Sequence, residues 1–213
     1  ATAGLRYDHY YFDVNDRAGI NENGVDLSAN SGNADDGIVS PKFSLVWLAS
    51  EQAEYYLSSG FGFHSNDARG TTIEVDPLDG SAADEVDPLV RSRGEELGAR
   101  FYPARNLEMS LALWQLRLDS ELLFVGDAGN TEAGRPSLRR GVEFNVFYNP
   151  TDWLSLDLEL AATRARYRDD EPGEGDYVEG APNRVIGAGA HYHSGHWFGG
   201  YRIRHLGPRP LDS

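Results

Sequence analysis

Residues 154–160 place leucine at every second position: Leu154, Leu156, Leu158 and Leu160, separated by Ser155, Asp157 and Glu159. An extended chain sends alternate side chains to opposite faces, so this stretch is a β-strand with one leucine face and one acidic, polar face. Residues 142–148 repeat the pattern, with Val142, Phe144, Val146 and Tyr148 set against Glu143 and Asn145. Asn149, Pro150, Thr151 and Asp152 join the two, a short connection built from turn-forming residues. A helix would need apolar residues three and four apart, and they are not there. The hairpin has one greasy face, and any fold it belongs to must say what that face touches.

The rest of the chain reads the same way. Strands are expected at residues 4–14, 40–48, 54–63, 95–102, 107–125, 185–192 and 197–206, besides the hairpin strands. The apolar phase slips near Gln115, where Leu113 gives way to Leu116 and Leu118, and a β-bulge is the expectation there. The connections alternate. Residues 15–37, 65–87, 126–136 and 168–182 are long and polar or acidic, whereas 49–52, 103–106, 149–152 and 194–195 are short. Outer-membrane barrels have this asymmetry, with short periplasmic turns and longer extracellular loops. Trp47, Tyr102, Tyr148, Trp153 and Trp197 fall near strand ends, where a barrel carries its aromatic girdles. About nine strands in a lone sheet would leave two raw edges, so the expected fold is all-β, a partial antiparallel up-and-down transmembrane β-barrel that closes with strands outside residues 1–213. The strands near 4–14 and 197–206 would be its edges.

Composition narrows the function. A formal charge of −15 over 213 residues makes nucleic acid an unsuitable partner, and the absence of cysteine removes disulfides, thiolate metal sites and cysteine nucleophiles. No run approaches the roughly 18 apolar residues of a membrane helix, but a transmembrane strand needs only about 9 to 11, half of them polar when the lumen is wet. No G-x-S-x-G, H-E-x-x-H or phosphate-loop motif is present, so no enzyme is expected and no cofactor. The acidic groups Asp35-Asp36, Asp84-Glu85-Asp87 and Asp169-Asp170-Glu171 lack EF-hand spacing and read first as solubilising loop charge rather than calcium ligands. His191, His193 and His196 bracket a turn and read as water-facing strand ends before they read as metal ligands. Arg164 and Arg166 continue the leucine phase beyond the hydrocarbon band, so they are candidates for pairing with lipid headgroup phosphates, against ordinary solvation of a strand end.

The order of several short motifs resembles the barrel region of TonB-dependent outer-membrane receptors. They are Ser40-Pro41-Lys42, then Tyr55-Tyr56-Leu57-Ser58 and the run Gly60-Phe61-Gly62-Phe63-His64-Ser65-Asn66. Arg93-Gly94-Glu95-Glu96-Leu97-Gly98 and Arg140-Gly141-Val142-Glu143 resemble strand starts of that family. Asn149 to Leu154 resembles a periplasmic turn, and Glu179-Gly180-Ala181-Pro182-Asn183 a loop end before a strand. The resemblance implies a barrel of about 22 strands with a plugged lumen, of which residues 1–213 are a central-to-late part, the plug domain and the C-terminal strands lying elsewhere. It also implies the outer membrane of a Gram-negative bacterium, with outer-membrane lipid, a TonB complex acting through the plug, and a small-molecule or metal-chelate substrate as partners. The implied function is uptake of a scarce nutrient, foremost a ferric siderophore. Arg202 and Arg204, opposite in phase to Tyr201 and Ile203, would then face the lumen as substrate-path or plug contacts. A passive porin and a soluble β-sandwich binding module are the alternative functions.

Overall fold

In the computed structural model, the described residues are 1–17, 19–120, 122–125, 130–169, 173 and 175–211, with backbone alone at 122–125 and 130–133. The strands are β1 (Thr2–Val14), β2 (Gly32–Ser50), β3 (Ala53–Ser65), β4 (Leu89–Ala104), β5 (Leu107–Leu118), β6 (Leu122–Val125), β7 (Asn130–Ala133), β8 (Ser137–Thr151), β9 (Leu154–Tyr167), β10 (Arg184–Ser194) and β11 (Trp197–Leu206). Nine of them form one antiparallel sheet in the order β1-β2-β3-β4-β5-β8-β9-β10-β11, while β6 and β7 make a separate hairpin. Every large-sheet neighbour is a sequence neighbour, apart from that inserted hairpin, which is an up-and-down meander. There is one main sheet, not two packed face to face, so the β-sandwich expectation is set aside. Among the described residues β1 pairs only with β2 and β11 only with β10, and every residue of β11 is exposed.

Register shows what the two faces are. Reading across the ladders, Leu45, Leu57, Leu97, Leu113, Val142 and Ala162 stand in one row. Two residues further toward the short turns, Trp47, Tyr55, Ala99, Leu111, Phe144, Leu160 and Ile186 form the next. The face is apolar and yet largely exposed, with Trp47, Leu97 and Leu113 all more than half accessible. An exposed apolar face this broad is the mark of a surface meant for another apolar medium. Trp47 stacks on Tyr55 with centroids 5.6 Å apart, and Tyr55 meets Phe101 edge-on at 6.1 Å. Trp153 likewise meets Tyr192 at 5.6 Å. The aromatic clusters thus lie at the short-turn end, with Phe101 rather than Tyr102 against Tyr55.

Three sequence expectations need correction. β2 begins at Gly32, well inside the stretch read as a loop, because Gly32 to Gly37 pair with Val14 to His9. Asp35 and Asp36 are therefore strand residues. β5 ends at Leu118 instead of running on to Val125, where β6 ends. Near Gln115 there is no bulge: β5 keeps unbroken register with β8 from Leu107 to Leu118. The irregularities sit instead at the short turns, between Phe101 and Ala104, Tyr148 and Thr151, and Leu48 and Ser50. What changes at Gln115 is the surroundings. Toward the long loops, the apolar side chains move to the inner face (Trp114, Leu116, Leu118) while the outer face turns polar (Gln115, Arg117).

The same inversion occurs on β9, where Ala165 and Tyr167 are buried on the inner face with Val178 of the following loop. Ile38, Ser40, Val90 and Ser137 are buried on the inner face too. Inner-face burial at this level comes from the long loops. The 3₁₀ turn Ala68–Thr72 packs against β1 and β2, and a Cβ on Gly32 would lie 3.6 Å from Thr72. Replacing Leu158, in the middle of the outer band, with arginine is expected to cost about 2–4 kcal/mol of folding free energy in lipid vesicles, against about 1 kcal/mol or less for Ser155→Arg on the inner face. A urea titration of the folded barrel reads both; equal costs would contradict the assignment of faces.

Candidate functional site

The inner face is a polar wall whose side chains cross from strand to strand, made possible by glycine. On β10, Gly187 and Gly189 lie between Glu159 and Asp157 of β9 and Arg204 and Arg202 of β11. With no side chain at Gly189, Arg202 reaches over β10 to place Nη2 2.8 Å from Asp157 and Nη1 3.3 Å from Glu159. Asp157 is nearly enclosed there, its side chain 7% exposed, with His191 Nε2 3.7 Å from its other oxygen. A Cβ at Gly187 would stand 2.9 Å from Glu159, and one at Gly189 would run into Asp157.

Elsewhere on the wall, aromatic side chains lie over glycine. The Tyr56 ring covers Gly98, and a Cβ at Gly141 would be 2.8 Å from the Trp114 indole and 2.7 Å from the carbonyl of Ala162. Arg100 pairs with Glu54 at 2.5 Å and sits over the Tyr56 ring at 5.0 Å. Ser44 and Ser58 share a hydrogen bond at 3.1 Å, and Asn145 donates to Ser110 at 3.3 Å. Glu96 and Glu143 flank Trp114 and have no cationic partner among the described residues; nor does the Trp114 indole N–H have an acceptor there.

The long loops form a cap with its own bonding. Asn30 is the clamp: its amide oxygen accepts from Glu74 N–H and Val75 N–H, its amide nitrogen donates to the Val75 carbonyl, and Thr72 donates to its backbone carbonyl. Asn21 and Asn23 both donate to the Pro77 carbonyl. These bonds join loop 15–31 to loop 66–88. Asn66 closes the base of the second loop by donating to the Asp87 carbonyl at 2.7 Å. Asp67 caps the turn, and its hydrogen bond from Arg69 holds its carboxyl below the usual carboxylate range. Arg135 fastens the loop after β9 through Asp169, at 2.9 Å, and the Gly175 carbonyl. Function-bearing loops are commonly ordered in this way on a rigid scaffold.

Of the arginines marked in the sequence, Arg202 is tied into the wall as above, whereas Arg204, on the same face, has no partner among the described residues. Arg164 is outward, with no ion-pair partner among the described residues, and stands opposite Arg140. Arg166 is engaged by Asp176 and lies over the Tyr177 ring. The sequence reading missed Arg140, and it missed Gly187 and Gly189, whose alternation opposite two acids was the available signal. Among the described residues no group of three His, Asp or Glu side chains could hold a metal ion, while Asp170 and Glu171 lie outside them.

A one-sheet up-and-down meander with an apolar exposed face, a polar inner wall and long loops at one end defines a segment of outer-membrane barrel wall. The chain belongs to the TonB-dependent receptor-like β-barrel family, whose model matches residues 1–212. Members of that family are outer-membrane proteins of Gram-negative bacteria. Among curated proteins no sequence matches it. Solved structures with the same fold include the ferric yersiniabactin uptake receptor FyuA from Yersinia pestis, at TM-score 0.71 and 15% identity over 99% of this chain and 32% of that one. The copper transporter OprC matches at TM-score 0.71 and 15% identity, over 95% of this chain and 32% of its own. The FrpB iron transporter from Neisseria meningitidis matches at 0.63 and 16%, over 95% and 30%. The chain thus spans about a third of the length of these proteins.

The Gly189 crossing makes a coupled prediction. Gly189→Val and Arg202→Ala should each destabilise the barrel by about 1–3 kcal/mol, and the double variant should fall well short of their sum, because both break the same contact. Fully additive losses in a denaturation cycle would show that Arg202 does not act through Asp157.

Proposed function

We propose that this chain is wall and loop-cap of an active-transport receptor that takes up a scarce nutrient, foremost a ferric siderophore or similar metal chelate, and is energised through TonB. The observation that carries this reading is family membership across 1–212, with all the long loops at the end where a ligand would arrive. The solved proteins that share its fold support the substrate class, since those named above take up or transport iron, a ferric chelate or copper. Loops tied to one another through Asn30, Asn21 and Asn23 suit a capture surface better than an open pore mouth, because they fold over the inner wall.

In this reading the barrel does no bond-making chemistry. It binds, guides and holds the plug, and TonB supplies the work. Arg202 is an internal tie of the wall. Arg204 is an inner-face cation with no partner among the described residues, available to a plug carboxylate or to an anionic chelate on its way through.

A deletion strain in iron-limited medium, fed single ferric siderophores, copper, cobalamin or sugars, tests the proposal. It should lose growth on one metal source, with rescue by the intact gene in a cell with TonB but not in one without it. Rescue independent of TonB would point to a diffusion channel.

A further inference from the structure

Toward the long loops, the outward face stops being apolar and becomes cationic. The row after Leu97, Leu113, Val142 and Ala162 reads Glu95, Gln115, Arg140 and Arg164 across β4, β5, β8 and β9. The row after that reads Arg93, Arg117, Leu138 and Arg166. Arg184 on β10 pairs with Ala162 and so stands on the same face beside Arg164.

The one carboxylate in these rows is spoken for. Arg93 Nε lies 2.5 Å from one oxygen of Glu95, and Gln115 donates to the other at 3.0 Å. Arg166 is held by Asp176. Arg117, Arg140, Arg164 and Arg184 have no carboxylate partner among the described residues. Arg140 and Arg164 are moreover direct cross-strand partners, and like charges set opposite one another are destabilising unless something lies between them. A chain with formal charge −15 has carboxylates in plenty to quench such a patch, yet among the described residues none is paired with Arg117, Arg140, Arg164 or Arg184.

Below the two arginines runs a shallow outward groove of about 640 Å³, lined by Leu57, Leu97, Leu113, Val142 and Ala162, with Arg140, Arg164 and the already bonded Glu95 on its long-loop rim. An occupant must therefore be anionic at one end and apolar at the other, and must lie at the level where hydrocarbon gives way to headgroups. Guanidinium forks match phosphate oxygens in geometry as well as charge. We propose that this groove binds an outer-leaflet lipid whose headgroup carries phosphate, with the phosphate between Arg140 and Arg164 and an acyl chain along Leu97, Leu113 and Val142. Arg117 and Arg184 flank the site and widen it to a second phosphate. The inference rests on the membrane placement above but not on TonB or on any substrate.

The test uses the full-length receptor extracted from outer membranes in detergent, with binding read by native mass spectrometry. The probes are bis-phosphorylated lipid A, its dephosphorylated counterpart and inorganic phosphate. The wild-type protein should prefer the phosphorylated lipid by about tenfold or more. R140Q/R164Q should lose that preference while still binding the dephosphorylated lipid, and R105Q, in a short turn far from the groove, should keep it. Heat-modifiable migration on a gel shows whether each variant is folded. If the double variant does not fold, the wild-type comparison of the two lipids decides alone. Equal binding of the two lipids, or a preference that survives R140Q/R164Q, would overturn the proposal. Displacement of the lipid by millimolar inorganic phosphate would also overturn it, since the site would then be one for free anions. A receptor that proves not to reside in the outer membrane fails the broader reading instead, and cell fractionation shows that separately.

Discussion

Backbone hydrogen bonding in hydrocarbon is the constraint on which everything else in this chain depends. An N–H or C=O left unpaired in lipid costs several kcal/mol, so a strand can cross a membrane only when it is bonded on both sides. Seven of the nine sheet strands meet that condition within the chain. Among the described residues the edges β1 and β11 have one neighbour each, so each presents one open ladder. With the backbone satisfied sideways, side chains are free to answer to whatever lies on each face, and one strand can be leucine outside and acid inside. The inner wall exploits this freedom, since glycines on β10 let Arg202 act across a whole strand.

The wall does not keep one polarity along its height. Across the band, apolar is outside and polar inside. Toward the long loops the order reverses, with Leu116, Leu118, Ala165 and Tyr167 inward and Arg117, Arg140 and Arg164 outward. Two media explain the reversal: lipid ends on the outside at the level where the loop cap begins on the inside. The cap gives the inner face something dry to pack on, and the headgroup region gives the outer face something charged to meet.

This reversal also explains which parts of the fold were legible in the sequence. The β8–β9 hairpin could be read because Leu154 to Leu160 lie wholly within the hydrocarbon band, where alternation is clean. The phase slip at Gln115 invited a bulge because periodicity reports faces and not surroundings; only register could show that the backbone runs on while its environment changes. Gly32 to Gly37 were invisible as strand because glycine, asparagine and aspartate carry little β-propensity, and β1 recruits them through backbone pairing alone. Arg202 could be assigned to the inner face from its phase, but its partner Asp157 lies 45 residues away in the chain, and no local pattern announces a contact made across an intervening strand. Arg140 was overlooked because it was read as a strand start, and its meaning appears only once Arg164 stands opposite.

A spin-label scan along β9 in the full-length receptor, reconstituted in vesicles, tests this account most directly. Labels at 156, 158 and 160 should be accessible to oxygen in lipid, and labels at 155, 157 and 159 shielded from it. Beyond residue 163 the pattern should change, with 164 open to a water-soluble nickel relaxant and 165 and 167 protected from both probes by the loop cap. Alternation continuing unchanged to residue 167, or none along the strand, would contradict it.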